Sequence, residues 1–173
     1  MKIGVIGVGR LGQDCAEVMA EHGHEVSGYD VVPFESETIA QIETIEELVK
    51  DKEYVFVSVP TPHDPAYDGS TPAMHLEPKD FNYDIATSVI AEANKYMNDS
   101  QSIILISTVM PGTIRKQIIP LVTNTNFVYN PYLIAMGTIR WDMVNPEMIM
   151  IGTEDGSKTG LASDLSFFYS SFM

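Results

Sequence analysis

Short apolar runs rich in β-branched residues alternate along this chain with longer segments in which apolar residues recur at helical spacing. The apolar runs predict strands at residues 2–6, 25–30, 54–59, 102–106, 127–129 and 148–151. The longer segments predict helices at 11–22, 44–50, 82–97, 112–121 and 157–172. Because strands that alternate with helices are typical of βαβ units, we expect an α/β fold with a doubly wound, mainly parallel sheet and helices on both faces.

One long irregular region interrupts the alternation. Residues 61–80 follow the third predicted strand and contain Pro62, Pro65, Gly69, Pro72 and Pro78. A loop of this length in a compact domain is typically functional. No shift of composition marks a linker, so the sequence predicts one domain over residues 1–173.

Composition and charge exclude several classes of protein. The 173 residues include 24 acidic side chains against 10 lysines and arginines, which gives a net charge of -14. Such a charge repels nucleic-acid phosphates and anionic lipids, so we expect no nucleic-acid partner and no membrane partner. The lone cysteine, Cys15, rules out a disulfide framework and is compatible with the reducing cytoplasm, where we expect the protein to lie.

A glycine-rich turn follows the first predicted strand directly and opens the first predicted helix. It has the pattern GxGxxG and contains Gly7, Val8, Gly9, Arg10, Leu11 and Gly12. In this context the first glycine allows a tight turn, the second lets a pyrophosphate approach the backbone, and the third lets helix and strand pack closely. The pattern favours a Rossmann-type dinucleotide site, and the alternative is a tight turn without a ligand.

An acidic residue indicates which dinucleotide is bound. Asp30 ends the second predicted strand, 21 residues after Gly9. A carboxylate at that place accepts hydrogen bonds from both ribose hydroxyls of an adenosine. Val31 and Val32 follow Asp30, so no cation stands ready for the 2′-phosphate of NADP. We therefore expect NAD as the cofactor.

Two more turns with hydroxyl groups follow the third and fourth predicted strands. The first contains Val59, Pro60 and Thr61, and the second contains Ser107 and Thr108. Ligands in open α/β sheets bind beyond the carboxyl ends of the strands. We therefore expect both turns to face the far half of the cofactor.

These motifs, taken in order, resemble the NAD-binding domain of the UDP-glucose/GDP-mannose dehydrogenase family. The likeness covers nearly the whole chain: the glycine turn with Asp30, the Val-x-Thr-Pro stretch at 59–62, Asp-Gly-Ser at 68–70, Ser-Thr-Val-x-Pro-Gly-Thr at 107–113, and Asn-Pro at 130–131. The motif at 107–113 is the most discriminating of them. The resemblance implies a Rossmann-like fold and oxidation of the 6-hydroxymethyl group of a nucleotide-linked hexose with two NAD, through a thiohemiacetal on a cysteine.

The resemblance also implies roles for individual residues. Thr108 matches the threonine with which family members position the reacting water. Tyr132 and Met136 stand where the family's Asn-Pro-Glu-Phe-Leu segment carries two glutamates. Neither side chain can act as a carboxylate base. Thr108 and Tyr132 are the candidate catalytic residues, and Arg10 is the candidate cation for the pyrophosphate.

The rest of the family's machinery, including its catalytic lysine and cysteine, lies beyond residue 173 in relatives. We therefore expect the cofactor half of a nucleotide-sugar 6-dehydrogenase, incomplete alone and joined by a second polypeptide or a further domain that binds the nucleotide sugar. The alternatives are a binding module that holds dinucleotide or nucleotide sugar without oxidising it, and a 3-hydroxyacid dehydrogenase-like NAD domain. His63 and His75 lack the spacing of a ligand set, so no metal is expected.

Overall fold

A parallel sheet forms the centre of the molecule. A computed structural model describes residues 1–70, 72, 74–158 and 160–173. Within them the strands are β1 (Lys2–Ile6), β2 (Glu25–Tyr29), β3 (Ala40–Gln41), β4 (Tyr54–Val57), β5 (Ser102–Leu105) and β6 (Asn126–Tyr129). The spatial order is β3-β2-β1-β4-β5-β6, and every neighbouring pair is parallel. This is the doubly wound order, and its switch point lies between β1 and β4.

Helices cover both faces of the sheet. They are α1 (Arg10–Glu21), α2 (Ile45–Val49), α3 (Asp84–Tyr96), α4 (Ile139–Val144) and α5 (Leu161–Tyr169). Successive strand residues point to opposite faces. Val5 and Phe56 therefore pack with α1, α4 and α5, whereas Val55 and Val57 pack with α2 and α3. The α/β fold expected from the sequence is confirmed.

The structure adds two elements that the hydrophobic pattern does not predict. Strand β3 has two exposed residues and is held by hydrogen bonds, among them Ile42 N–H to Gly28 C=O at 2.8 Å and Phe34 N–H to Oε1 of Gln41 at 3.2 Å. Helix α4 has six residues. It is fixed to α1 by Arg140, whose guanidinium lies 3.2 Å from Glu17 and 2.6 Å from Glu21.

Two predicted elements are wrong. The apolar run at 148–151 forms no strand: Met148, Ile149 and Met150 are exposed, and only Gly152 pairs with the edge strand, in an antiparallel bridge to Tyr129. The segment 112–121 is not a regular α-helix. It forms a π-helical turn at Ile114–Ile118 and a 3₁₀ turn at Ile119–Leu121, because Pro120 lacks the N–H that would continue an α-helix.

The C-terminal helix packs on the sheet as the sequence predicts, although it begins at Leu161. Residue 159 of the predicted helix, like residues 71 and 73 of the predicted loop, lies outside the described residues. Phe168 and Phe172 are buried, and the His24 ring lies 4.9 Å from the ring of Phe168. Nδ1 of His24 is buried with no hydrogen-bond partner among the described residues.

His24 makes the stability of this helix contact dependent on pH. Burial is the main cause that lowers its pKa, the amino terminus and His22 lower it further, and Glu53 acts in the opposite direction. The unfolded chain protonates His24 at a higher pH than the folded chain does. The contribution of neutral His24 to stability is therefore fully present above the unfolded pKa of about 6.5 and is lost as the pH falls below it. We expect the Tm to fall between pH 7.5 and 5.5, and to fall less in His24→Gln.

The matched control is His75→Gln, which changes an exposed histidine of the 61–80 loop. Its Tm should follow that of the parent chain at every pH. Thermal unfolding followed by circular dichroism measures both variants. An unchanged pH dependence in His24→Gln would contradict the assignment.

No helix among the described residues is long and apolar enough to cross a membrane.

Candidate functional site

The turn between β1 and α1 depends on two glycines. Gly7 has φ +91°, and a Cβ there would lie 2.3 Å from the carbonyl oxygen of Ser58. A Cβ at Gly12 would lie 1.9 Å from the carbonyl oxygen of Gly7. Both positions exclude any side chain, so β1, α1 and the end of β4 are packed backbone against backbone.

The first turn of α1 faces the open side of this turn. Gly9 is the N-cap, no side chain caps the helix, and its first turn holds no acidic residue. A Cβ at Gly9 would meet nothing within 4 Å. Arg10 is exposed, and no hydrogen bond or ion pair joins it to another described side chain. Uncapped N–H groups, the helix dipole and one available cation together form a site suited to an anion.

Asp30 follows β2 at one end of the same groove. Its Oδ1 accepts a hydrogen bond from the N–H of Val32 at 2.9 Å, which fixes the carboxylate beside the turn. The side chains of Val31 and Val32 are 84% and 66% exposed, so apolar groups and not cations flank the carboxylate. Phe34, whose ring closes over Gly28, completes this wall of the groove. Phe34 is not among the site residues predicted from the sequence, because no motif marks it.

The turns after β4 and β5 are joined by hydroxyl groups. The buried Ser107 hydroxyl accepts a hydrogen bond from the N–H of Val59 at 2.9 Å and donates one to the C=O of Val59 at 2.7 Å. The Thr61 hydroxyl donates to the C=O of Thr108 at 2.7 Å. The side chain of Thr108 is exposed. Ser107 therefore organises the floor of the groove, and Thr108 presents its hydroxyl at the surface.

These turns line a single groove. Its volume of about 910 Å³ lies within the range of small-molecule sites, roughly 300–1,000 Å³. Its lining includes every site residue predicted from the sequence: Gly7, Val8, Gly9, Arg10, Leu11, Gly12, Asp30, Val59, Pro60, Thr61, Ser107, Thr108 and Tyr132. It also includes Met136 and the apolar side chains of Ile85 and Val89 from α3, which the sequence reading did not assign to the site. The groove crosses the switch point between β1 and β4.

Tyr132 lines the end of the groove that lies furthest from Asp30 along the strand order. Its hydroxyl lies 2.8 Å from the hydroxyl of Tyr169, and burial is the main cause that raises the pKa of Tyr132 well above its usual value. The phenol therefore keeps its proton at neutral pH and cannot serve as a base. Met136, half exposed in the same part of the groove, cannot either.

Several other side chains with reactive or charged groups lie away from the groove. Cys15 is fully buried on the inward face of α1, and burial raises the pKa of its thiol, so it is inert. His63 is exposed on the 61–80 loop and outside the groove lining. Arg115 donates a hydrogen bond to the C=O of Glu154 at 3.3 Å. No group of metal-ligating side chains occurs within the described part of the chain.

Comparisons with known proteins agree on one family. The profile of the UDP-glucose/GDP-mannose dehydrogenase family, NAD binding domain, matches residues 34–172. YtcA of Bacillus subtilis (strain 168), a UDP-glucose 6-dehydrogenase by name, is 26% identical over 183 residues, which cover 90% of this chain and 40% of that protein.

Solved structures share the fold. A GDP-mannose dehydrogenase from Pseudomonas aeruginosa superposes with a TM-score of 0.79 at 21% identity over 99% of this chain and 44% of that one. A UDP-glucose dehydrogenase from Pyrobaculum islandicum gives 0.78 at 23% identity, also over 99% of this chain and 44% of that one. The chain thus spans less than half the length of these relatives.

The profile match begins after the glycine turn and Asp30, so these two features are observations separate from the match, whereas the groove lining from Phe34 onward lies within it. The match favours the UDP-glucose/GDP-mannose dehydrogenase family over a 3-hydroxyacid dehydrogenase-like domain. The chain belongs to the UDP-glucose/GDP-mannose dehydrogenase family and corresponds to its NAD-binding domain.

Proposed function

We propose that the groove binds NAD with the adenine ribose on Asp30, the pyrophosphate over Gly9 and the nicotinamide half beyond the ends of β4, β5 and β6. The observation that carries this proposal is the β1–α1 turn. A Cβ is excluded at Gly7 and Gly12, and the backbone at Gly9 stays open to the groove. A turn that only reverses the chain does not need an uncapped helix facing open space.

Charge and hydrogen bonding support NAD over NADP. One oxygen of Asp30 is held by Val32 N–H, and the carboxylate keeps the capacity to accept from ribose hydroxyls. A 2′-phosphate at that place would meet the Asp30 carboxylate and two exposed valines. Like-charge repulsion without a compensating cation disfavours NADP.

The reaction that we propose for the complete assembly is oxidation of a nucleotide-linked sugar alcohol at C6. When bound, the nicotinamide would accept the hydride. Thr108 presents an exposed hydroxyl at that end of the groove, where it can hold a water or a substrate oxygen. Tyr132 and Met136 offer no carboxylate, and the cysteine of this chain is buried. We therefore propose that the chain supplies the cofactor half and that a further domain or a second polypeptide supplies the nucleophile, the base and the contacts to the sugar nucleotide.

A second candidate function is a binding module that holds the dinucleotide without oxidising a sugar. The observation that favours it is Tyr132, a tyrosine in place of the family's glutamate, whose hydroxyl is bonded to Tyr169. Both candidates share the NAD site and differ only in turnover. With its single unpaired cysteine, either is compatible with the cytoplasm, where we propose that the protein works.

Calorimetric titration of the 173-residue chain with NAD and with NADP tests the proposal. We expect NAD to bind at least tenfold more tightly, which corresponds to about 1.4 kcal/mol. Absence of binding by either ligand, or a preference for NADP, would refute the assignment of Asp30. We also expect no NADH production from UDP-glucose or GDP-mannose. Turnover by the purified chain would show that its own residues complete the catalytic set.

A further inference from the structure

A hydrogen-bonded series of three side chains connects the groove to the C-terminal helix. Asn130 and Tyr169 are fully buried, whereas Tyr132 is partly exposed at the groove wall. The hydroxyls of Tyr132 and Tyr169 lie 2.8 Å apart, and the hydroxyl of Tyr169 also bonds to Oδ1 of Asn130. The two phenol rings meet edge to face, with centroids 6.2 Å apart.

The hydrogen bonds of this series allow only one assignment of donors and acceptors. Nδ2 of Asn130 donates to the C=O of Met150 at 2.7 Å, so Oδ1 is the acceptor. Tyr169 must then donate its proton to Asn130, and its oxygen is left to accept the proton of Tyr132. The Tyr132 hydroxyl is therefore turned towards α5, and its aromatic ring forms the wall of the groove.

The series is anchored to the sheet. The N–H of Asn130 donates to the C=O of Leu105, the last residue of β5, at 2.9 Å. Tyr169 in turn packs against Phe168 and Phe172. The Tyr132 hydroxyl is thus held through Tyr169 and Asn130, two buried groups that do not move independently of the fold.

We propose that Tyr169 is a positioning residue for the nicotinamide half of the groove, because it fixes the Tyr132 ring against which that half of the dinucleotide lies. The inference rests on the proposed NAD site and extends it to a residue outside the groove. Removal of the Tyr169 hydroxyl leaves the Tyr132 proton and Asn130 Oδ1 without their partners. The Tyr132 side chain can then rotate into the groove, where its hydroxyl donates to another acceptor.

Calorimetry with NAD and with ADP-ribose, which lacks the nicotinamide, separates positioning from general loss of structure. In Tyr169→Phe we expect the Kd for NAD to rise about fivefold, which is the size of the neutral hydrogen bond that holds the Tyr132 hydroxyl, and the Kd for ADP-ribose to stay within about twofold. Tyr132→Phe should give the same selective change. The double variant should be no weaker than Tyr169→Phe, since the bond that Tyr132→Phe removes is already lost in Tyr169→Phe.

The matched control is Tyr54→Phe, which removes a hydroxyl from a buried tyrosine at the start of β4 and away from the groove. It should leave both Kd values unchanged. Equal weakening of NAD and ADP-ribose by Tyr169→Phe, additive effects in the double variant, or an unchanged Kd for NAD would each overturn the inference.

If the Tyr169→Phe variant does not fold, the Tyr132→Phe variant provides the test, because the Tyr132 ring is partly exposed and tolerates the change. A selective loss of NAD affinity in that variant supports the inference, and its absence refutes it. If the parent chain binds neither NAD nor ADP-ribose, the proposed function itself fails and the inference fails with it. If the parent binds both ligands and the variants show no selectivity, only the inference fails.

Discussion

Gly12→Ala should unfold at a Tm roughly 6–12 °C below that of the parent chain. The new Cβ would lie 1.9 Å from the carbonyl oxygen of Gly7, and neither backbone segment can yield without moving β1 or α1. Overpacking of this kind costs about 3 kcal/mol, and each kcal/mol lowers the Tm of a chain this size by about 2–4 °C. Thermal unfolding measures the effect.

Gly9→Ala is the matched control, because the same methyl group enters the same turn where it meets nothing within 4 Å. Its stability should fall by no more than about 1 kcal/mol, since alanine is a poorer N-cap than glycine but the added methyl group meets no other atom. Its Kd for NAD should nevertheless rise by roughly 100-fold, because the methyl group occupies the approach of the pyrophosphate. Parental Tm in Gly12→Ala, or parental NAD affinity in Gly9→Ala, would contradict the account of the turn.

Asp30→Asn should lose most of its preference for NAD. The amide oxygen still accepts from Val32 N–H, so the turn is kept, but the charge that we propose holds the ribose hydroxyls is removed. Hydrogen bonds to a charged group contribute about 1.5–3 kcal/mol, so the Kd for NAD should rise roughly 10- to 100-fold. The Kd for NADP should not rise, because repulsion of its 2′-phosphate disappears with the carboxylate.

Asp155→Asn provides the comparison for this change. Oδ1 of Asp155 accepts from the N–H of Ser157 at 2.9 Å, the same local geometry as at Asp30, but outside the groove. Neither ligand's Kd should change in that variant. Titration of the two variants with NAD and NADP gives four values, and an unchanged NAD to NADP ratio in Asp30→Asn would refute its role in choosing the cofactor.

The central strands could be predicted from sequence because each is a short run of apolar residues buried on both faces. β1, β4 and β5 each agree with their predicted start. The same signal failed at 148–151, where an apolar run is exposed and does not pair as a strand. Local apolarity does not reveal whether a run will pair with the edge strand that lies beside it. Strand β3 was missed for the opposite reason: it pairs as a strand, but its two exposed residues form no apolar run.

The grouping of the candidate site residues in one groove was more predictable than the elements around them. Glycine spacing after a strand reports a backbone requirement that is local, so Gly7 and Gly12 could be assigned without the fold. The connection of Tyr132 to Tyr169 could not, because the two residues are 37 positions apart and meet only through the packing of α5. Helix α4 was missed for the same reason, since Arg140 and Glu17 are 123 positions apart.

The double hydrogen bond of Ser107 bears on how tightly a ligand can be held. The hydroxyl ties the backbone beyond β4 to the end of β5 through both polar groups of Val59. The floor of the groove is therefore already ordered before a dinucleotide arrives, and binding needs little loss of loop entropy there. Affinity in such a preorganised site depends on the contacts themselves and on the freedom that the ligand gives up.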